Sequence, residues 1–577
     1  MDGRGMRAAV AVASLVLVLA GCTSVSPRII EDSIVRVAVD APMTTLNPAR
    51  LAASGSADAA VAWLTHGQFV DYDADAQPVP DESFGTASVL PGDAFTIRYT
   101  LAESATWSDG EPVGSADLLL AWAAASGALD GLLAPTERFE GERTVPLADP
   151  ALFPALGEDG RSLTVYFASE VEGWEWMLDP RVPAHSVGQL ALDITDPDEA
   201  REAVSAAILG KNAEALGTIA AVWNTAFDAP ARSADLSVAP SSGPYTVESW
   251  SESSVTLVAN ASYRGSRQPR VDRIELVTIP DPLDAVSALD SGAVDIITPA
   301  PTPEVQDAVL AIDDVTVLTG ADPAVEHLDL QIVGGRSGVF ADARVREAFL
   351  LTVPRQQIVT ELVGGIVEDA APQSSFLVSQ ASADYAALVS ENGSVKYAEP
   401  DTAAAAALLR EARVSSPEVC VLFDAQDENR LTEFGLIAAS AMEAGFVVTD
   451  CSTPDVAASL GKPGAYDAAL FAWTVPELST QWVAELYSSE GSTNLTGYSS
   501  AEVDRLVDQL ESTSEKKAQN ELIADIDAEL WADGYGVPLY QHAALTAFGA
   551  KVAGVSRSAL VPGVFWNATD WAPAAER

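Results

Sequence analysis

A chain of 577 residues with 83 Asp and Glu against 32 Lys and Arg carries a formal charge of −51, and 48% of it is apolar. That charge argues against nucleic acid or anionic lipid headgroups as partners, because phosphate contacts need clustered Lys and Arg, and the apolar content argues against a disordered chain. The length exceeds what one core organises, so two or three lobes of roughly 100–200 residues are expected.

Arg4 and Arg7 precede an apolar run over 8–20, and Leu19-Ala20-Gly21-Cys22 closes it. A basic start, a short apolar stretch and small residues before the cut resemble a bacterial lipoprotein signal, and the run falls short of the ~20 residues that span a bilayer. On that resemblance 1–21 is a signal peptide, Cys22 becomes the lipidated N-terminus, and two or more acyl chains hold the protein at the outer face of the cytoplasmic membrane. The cut removes Asp2, Arg4 and Arg7 and leaves a formal charge of −52. Residues 22–33 form a polar tether.

Beyond the tether, 33–40 alternates as a strand. The stretch 73–85 is rich in Asp and Pro without a helical period, 95–101 alternates again, and 115–125 turns helical with Asp117 in its first turn. A helical stretch covers 203–225. A polar connection over 232–242 leads into strands at 245–249 and 254–258 and marks a lobe boundary. A helix over 283–292 ends at Gly292, with a short buried strand at 295–298 behind it. The helix predicted over 341–353 puts Val345, Ala348, Phe349 and Thr352 on one face, as core packing requires. The alanines of 403–407 with Leu408 and Leu409 make a strong helix former.

The mature chain has two cysteines besides Cys22, namely Cys420 and Cys451. Residues 419–423 and 446–450 read as strands flanking a helix over 431–443, which is a βαβ unit with parallel strands. Cys420 then opens one strand and Cys451 follows the other. An offset of about four residues, or roughly 13 Å, passes the ~7 Å Cα limit for a bridge, so both are expected as unbridged, buried small side chains.

No assembled active site is visible. His66, His185, His327 and His542 lie far apart, without a His-Glu-x-x-His or a neighbouring Cys, so no zinc and no other metal or cofactor is expected. Ser459 with Lys462 and Ser514 with Lys517 match Ser-x-x-Lys, but neither is joined by Lys-Thr-Gly or Ser-Asp-Asn. Asp71, Asp73, Asp75 and Glu82 mimic EF-hand spacing, yet Ala76 stands where the loop needs glycine, and Pro78 and Pro80 stiffen its second half. Binding without catalysis becomes the leading class, and a cell-wall hydrolase is disfavoured.

Several motifs then fall in one order. Thr45-Leu46-Asn47-Pro48 is followed by Trp107-Ser108-Asp109-Gly110-Glu111-Pro112-Val113 with Asp117. Next come Ser242-Gly243-Pro244-Tyr245, Asn260 with Tyr263, and Ser291-Gly292 with Asp295-Ile296. Asp342 with Arg344-Val345-Arg346, Tyr466-Asp467 with Trp473, Asn494 with Gly497-Tyr498 and Val503-Asp504, and Val537-Pro538-Leu539 complete the order. Over nearly the whole mature length this resembles the extracytoplasmic solute-binding proteins of peptide-type ABC transporters, family 5.

The resemblance implies an α/β, two-lobed periplasmic-binding-protein-like fold (type II, cluster C). Lobe I is expected to combine 34–75, 236–328 and 541–577, with 76–235 inserted as a subdomain, and 329–540 forms lobe II. The chain is expected to cross between lobes from His327 to Gln331 and from Pro538 to His542, as hinges that absorb the closing motion. The loop Leu51, Ala52, Ala53 and Ser54 and the strand end Ala472, Trp473 and Thr474 would line the cleft, with Trp482 as a further stacking surface. Peptide binders place an Asp shortly after the Trp to hold a peptide ammonium. Here Glu477 stands one position further on, behind Pro476, which puts ordinary peptides in doubt.

The implied function is a monomeric receptor that captures peptide or peptide-like solutes by hinge closure for a permease with ATPase subunits, without a cofactor. The C-terminal third, with Asn494-Leu495-Thr496-Gly497, Leu530-Trp531, Pro538-Leu539-Tyr540-Gln541 and Asn567 with Trp571, also resembles an actinobacterial branch. That branch includes a lipoprotein linked to phosphatidylinositol mannoside and lipoarabinomannan assembly. A regulatory or scaffold role in envelope glycolipid assembly is therefore the second reading.

Overall fold

One sheet of ten strands runs through the molecule. Its members are β1 (Ile30–Val39), β2 (Tyr245–Trp250), β3 (Ser254–Ala259), β4 (Val271–Thr278), β5 (Ile296–Ile297), β6 (Val315–Leu330), β7 (Glu418–Leu422), β8 (Val447–Asp450), β9 (Ala468–Thr474) and β10 (Gly536–Gly549). They lie in the order β8-β7-β9-β6-β10-β5-β1-β4-β3-β2. The computed structural model describes residues 29–50, 56–73, 78–92, 94–141, 145, 153–167, 171, 173–229, 235–367, 370–380, 382, 384–474, 480–513, 515–558 and 563–574. Cys22, the loop Leu51, Ala52, Ala53 and Ser54, and Glu477 lie outside them, as do Asp75, Ala76 and Ser514.

Lobe I gathers around β1, which runs parallel to β4 in the register Val35↔Ile274 and Val37↔Leu276. Val35, Val37 and Val39 of β1 and Val271, Ile274 and Leu276 of β4 are buried with the inserted region in one core that includes Ile97, Trp107, Leu118 and Trp223, and the late Phe565 and Trp571 close it. The insert adds a four-stranded sheet built on Phe95–Leu101 and Ser162–Phe167. The helical stretch expected over 203–225 is two helices, Pro197–Leu209 and Ala213–Thr225. Gly210 ends the first, Lys211 takes a positive φ of 52°, and the Asn212 side chain caps the second by accepting from Ala215 N at 3.3 Å.

Lobe II has its own core, from Leu328 and Leu330 through Phe349, Ile437 and Leu470 to Leu539. The helix expected over 341–353 spans Ala343–Leu350, with Asp342 as its N-cap and Val345, Ala348 and Phe349 buried as predicted. The strands β7 and β8 are parallel neighbours flanking the helix Glu428–Ala444, which is the expected βαβ arrangement.

The cysteines correct an expectation. Cys420 and Cys451 form a disulfide with a Cα separation of 5.6 Å. The register sets Cys420 beside Thr449, so Cys451 stands two residues past its partner instead of four. Its N–H donates to Val421 O at 2.9 Å and turns the chain back over β7. The strand directions were legible in the sequence, and the register was not.

The two lobes share β6 and β10, which pair antiparallel from Val315↔Gly549 to Asp329↔Gly536. At one end β10 joins lobe I through Ile296↔Phe548, and at the other β6 joins lobe II through β9, from Ala324↔Thr474 to Leu330↔Ala468. Between these ends the pairing is irregular at Ala321/Val325 and again at Glu326/His327. A break in the ladder leaves a locally twisted, less constrained strand pair at the passage between lobes.

Candidate functional site

The carboxyl ends of β7 and β9 mark where an α/β sheet places a ligand. Ala472, Trp473 and Thr474 end β9, with Trp473 opposite Val325 and Thr474 opposite Ala324 of β6. The Trp473 ring is half-buried and stands edge-on to Phe471 at 5.2 Å, touching both the lobe II core and the small cluster of Leu422, Tyr466 and Ala469. Trp482, on the helix Gln481–Tyr487, packs against the lobe II core and Tyr487 at 6.1 Å. The end of β9 is thus set beside the first crossing.

On the lobe I side the turn over 46–50 is held by the inserted region. Asn47 is fully buried, donates through Nδ2 to Trp223 O at 3.0 Å and accepts from Ala49 N at 3.2 Å. Arg50 grips both oxygens of Asp228 at 2.6 Å and reaches Glu140 at 2.9 Å. The Leu46-Asn47-Pro48 turn is therefore fastened to the insert through Trp223, Asp228 and Glu140.

The Trp107 to Val113 motif is an anchor, away from the crossings. Trp107 is fully buried, and buried Asp117 accepts from Gly114 N and Ala184 N at 2.7 Å each and from the Trp107 indole at 3.5 Å. Burial raises the Asp117 carboxyl, against those donors. Asp109 pairs with His185 at 2.9 Å. Gly243 of the next motif lies on the end of the helix Ser56–Thr65, where a Cβ would meet His66 N at 2.6 Å.

A polar cluster occupies the crossings themselves. Glu326 is 1% exposed. It accepts from Arg430 Nε at 2.8 Å and Nη2 at 3.2 Å and contacts His542 Nε2 at 2.9 Å. Burial pushes its carboxyl up, but the His542 and Arg430 hydrogen bonds outweigh that and hold it below the usual range. Glu433, 0% exposed, accepts from the Tyr540 hydroxyl at 2.5 Å. Burial, then the Glu326 charge, raise Glu433 well above an ordinary carboxyl. Gln541 donates to Asp322 O at 2.9 Å, and Arg355, buried on the far side, donates to Pro538 O at 3.0 Å. His327 is buried 3.8 Å from Asp329, beside Phe376, and Gln331 donates to Val333 O at 3.0 Å.

Sequence reasoning named His327, Gln331, Pro538 and His542 and placed Tyr540 within the second crossing, but missed Glu326, Arg430 and Glu433. Arg430 and Glu433 share a face of the helix Glu428–Ala444 at a three-residue spacing, but the predicted helix began at 431 and left Arg430 out. Among the described residues no group of three or more His, Cys, Asp or Glu is placed to hold a metal ion. Ser459 donates to Asp455 O at 3.4 Å, a backbone contact within its own turn.

Two separately cored α/β lobes joined by a crossing strand pair define a solute-binding protein of the periplasmic kind. The chain belongs to the bacterial extracellular solute-binding proteins, family 5, whose middle-region profile matches residues 87–494. It is similar to an uncharacterized lipoprotein of Mycobacterium tuberculosis, 27% identical over 552 residues and covering 92% of each chain. Among solved structures it is similar to the periplasmic EDTA-binding protein EppA, with a TM-score of 0.79 at 17% identity over 96% of this chain and 99% of that one. It is also similar to the oligopeptide-binding protein AppA of Bacillus subtilis in complex with a nonapeptide, with a TM-score of 0.70 at 15% identity over 94% and 99%. No described helix is long and apolar enough to cross a membrane.

Proposed function

We propose that this chain is the receptor of an ABC importer, tethered outside the cell by a lipidated Cys22, and that it captures a peptide or peptide-like solute between its lobes. The observation that carries the reading is the shared strand pair β6 and β10, whose pairing loosens where it passes from one core to the other. Closing two rigid cores around such a passage costs little backbone strain and hides the solute from water. Closure also gives a permease a shape to recognise.

In this reading the cleft is lined by Leu51, Ala52, Ala53 and Ser54 from lobe I and by Ala472, Trp473, Thr474, Glu477 and Trp482 from lobe II. Trp473 offers a flat apolar face, and Glu477 takes the counter-charge role for an ammonium. The lipoprotein names of the relatives support the tether, and the nonapeptide complex of a structural neighbour supports a peptide-like solute. The receptor works as a monomer and needs no cofactor.

Native mass spectrometry of the protein purified without its lipid tests the reading. A bound peptide series that disappears on unfolding is expected. A co-purified glycolipid overturns it in favour of the envelope-assembly role, and failure to retain any solute leaves only a partner role. For the tether, Cys22→Ser is expected to move the protein from the membrane fraction to the medium.

A further inference from the structure

Helix Glu428–Ala444 touches both crossings with two side chains one turn apart. Arg430 holds Glu326 on β6, and Glu433 holds Tyr540 on β10. Glu326 lies opposite Tyr540 on one side and opposite Ala472 on the other, so the cluster sits directly beside the strand end that carries Trp473. The charged and titratable groups facing Glu433 are Glu326 from the first crossing, Tyr540 from the second, and Arg430 and Asp427 from its own helix and cap, while His542 contacts Glu326.

The two carboxyls are not equivalent. Glu326 has the guanidinium and the imidazole. Glu433 has one phenol, and its second oxygen, Oε2, is buried without a hydrogen-bond partner. An ionised Glu433 would repel Glu326 in a low-dielectric interior, with Arg430 already committed. Relief requires Arg430 to swing away from Glu326, or water to enter between helix and strands. Either change loosens the grip on the crossings.

We propose that helix Glu428–Ala444 is a latch on the interlobe hinge, closed while the Glu433 carboxyl keeps its proton and released when that proton is lost. The proposal rests on the solute-receptor reading for its purpose and makes lobe opening responsive to the pH outside the cell. Acid keeps the crossing strands pinned to the lobe II helix, and alkali frees them.

The test uses the mature protein without solute, so a failed importer assignment leaves its result intact. Amide hydrogen exchange over 321–327 and 538–543, with small-angle X-ray scattering, is followed from pH 5 to pH 9. In wild type, protection at the crossings is expected to fall on the order of tenfold beyond the ordinary pH dependence of exchange, through one transition, as the radius of gyration rises. Glu433→Gln keeps an acceptor for Tyr540 and cannot ionise, so it should stay protected throughout. Persistence of the transition in Glu433→Gln, or flat protection in wild type, overturns the latch. Should Glu433→Gln fail to fold by circular dichroism, Tyr540→Phe decides. Removing the phenol removes a donor that favours the carboxylate, so the transition should move to higher pH, and an unmoved transition overturns the proposal.

Discussion

Two buried carboxyl clusters divide the molecule by purpose. Asp117 in lobe I is held by backbone N–H groups of Gly114 and Ala184 and by the Trp107 indole, all within one core. Glu326 and Glu433 at the crossings are held by side chains from a helix and from β10, and one oxygen is left without a partner. Backbone donors cannot withdraw without unfolding, whereas side-chain partners on separate elements can exchange. The atoms that satisfy a buried acid thus distinguish a fixed joint from a movable one.

Breaking the fixed joint should have the largest effect. Trp107→Ala empties a fully buried indole site and removes a donor to Asp117, an expected loss of about 3–5 kcal/mol in chemical denaturation. A loss below about 1 kcal/mol would show that the motif does not fasten the insert. Next in size, replacing Cys420 and Cys451 by Ala together opens a loop with a sequence separation of 31, for roughly 3–4 kcal/mol. That cost should fall on lobe II alone, and an equal drop in lobe I protection by hydrogen exchange would contradict two separate cores.

Asp527 is an intermediate case. It is fully buried and accepts from Phe376 N at 2.7 Å, Ser375 Oγ at 3.0 Å and Asn392 Nδ2 at 2.6 Å, all neutral donors. Burial pushes it up to about 6 in spite of them. A raised carboxyl binds more protons folded than unfolded, so its share of stability is present in acid and is lost as pH rises from about 4 to about 6, roughly 3 kcal/mol in all. Asp527→Asn should flatten that slope in urea midpoints measured across the window. An unchanged slope would assign the pH dependence to other groups.

The same contrast explains which features were legible in the sequence. The motifs at Asn47 and Trp107 contain local turns and caps, in which Asn47 accepts from Ala49 N and Asp117 accepts from Gly114 N, so that part of their work is revealed by residue type. Strand directions follow from hydrophobic periodicity, which is why the βαβ unit of lobe II was readable. Register depends on packing between distant segments. Periodicity alone therefore sets Cys420 and Cys451 too far apart and does not reveal that Glu326, Arg430, Glu433 and Tyr540 converge across more than two hundred positions.

Trp473 gives the smallest stability effect and the sharpest use of the comparison. Its ring lies half-buried at the end of β9 against Phe471, unlike the sealed Trp107. Trp473→Ala should therefore cost only about 1 kcal/mol in the unliganded protein, since part of its surface already faces water. Affinity for any solute recovered by native mass spectrometry should fall by about tenfold or more if the ring stacks on that solute. A stability loss approaching that of Trp107→Ala, with affinity intact, would make Trp473 a core residue and move the binding surface away from the end of β9.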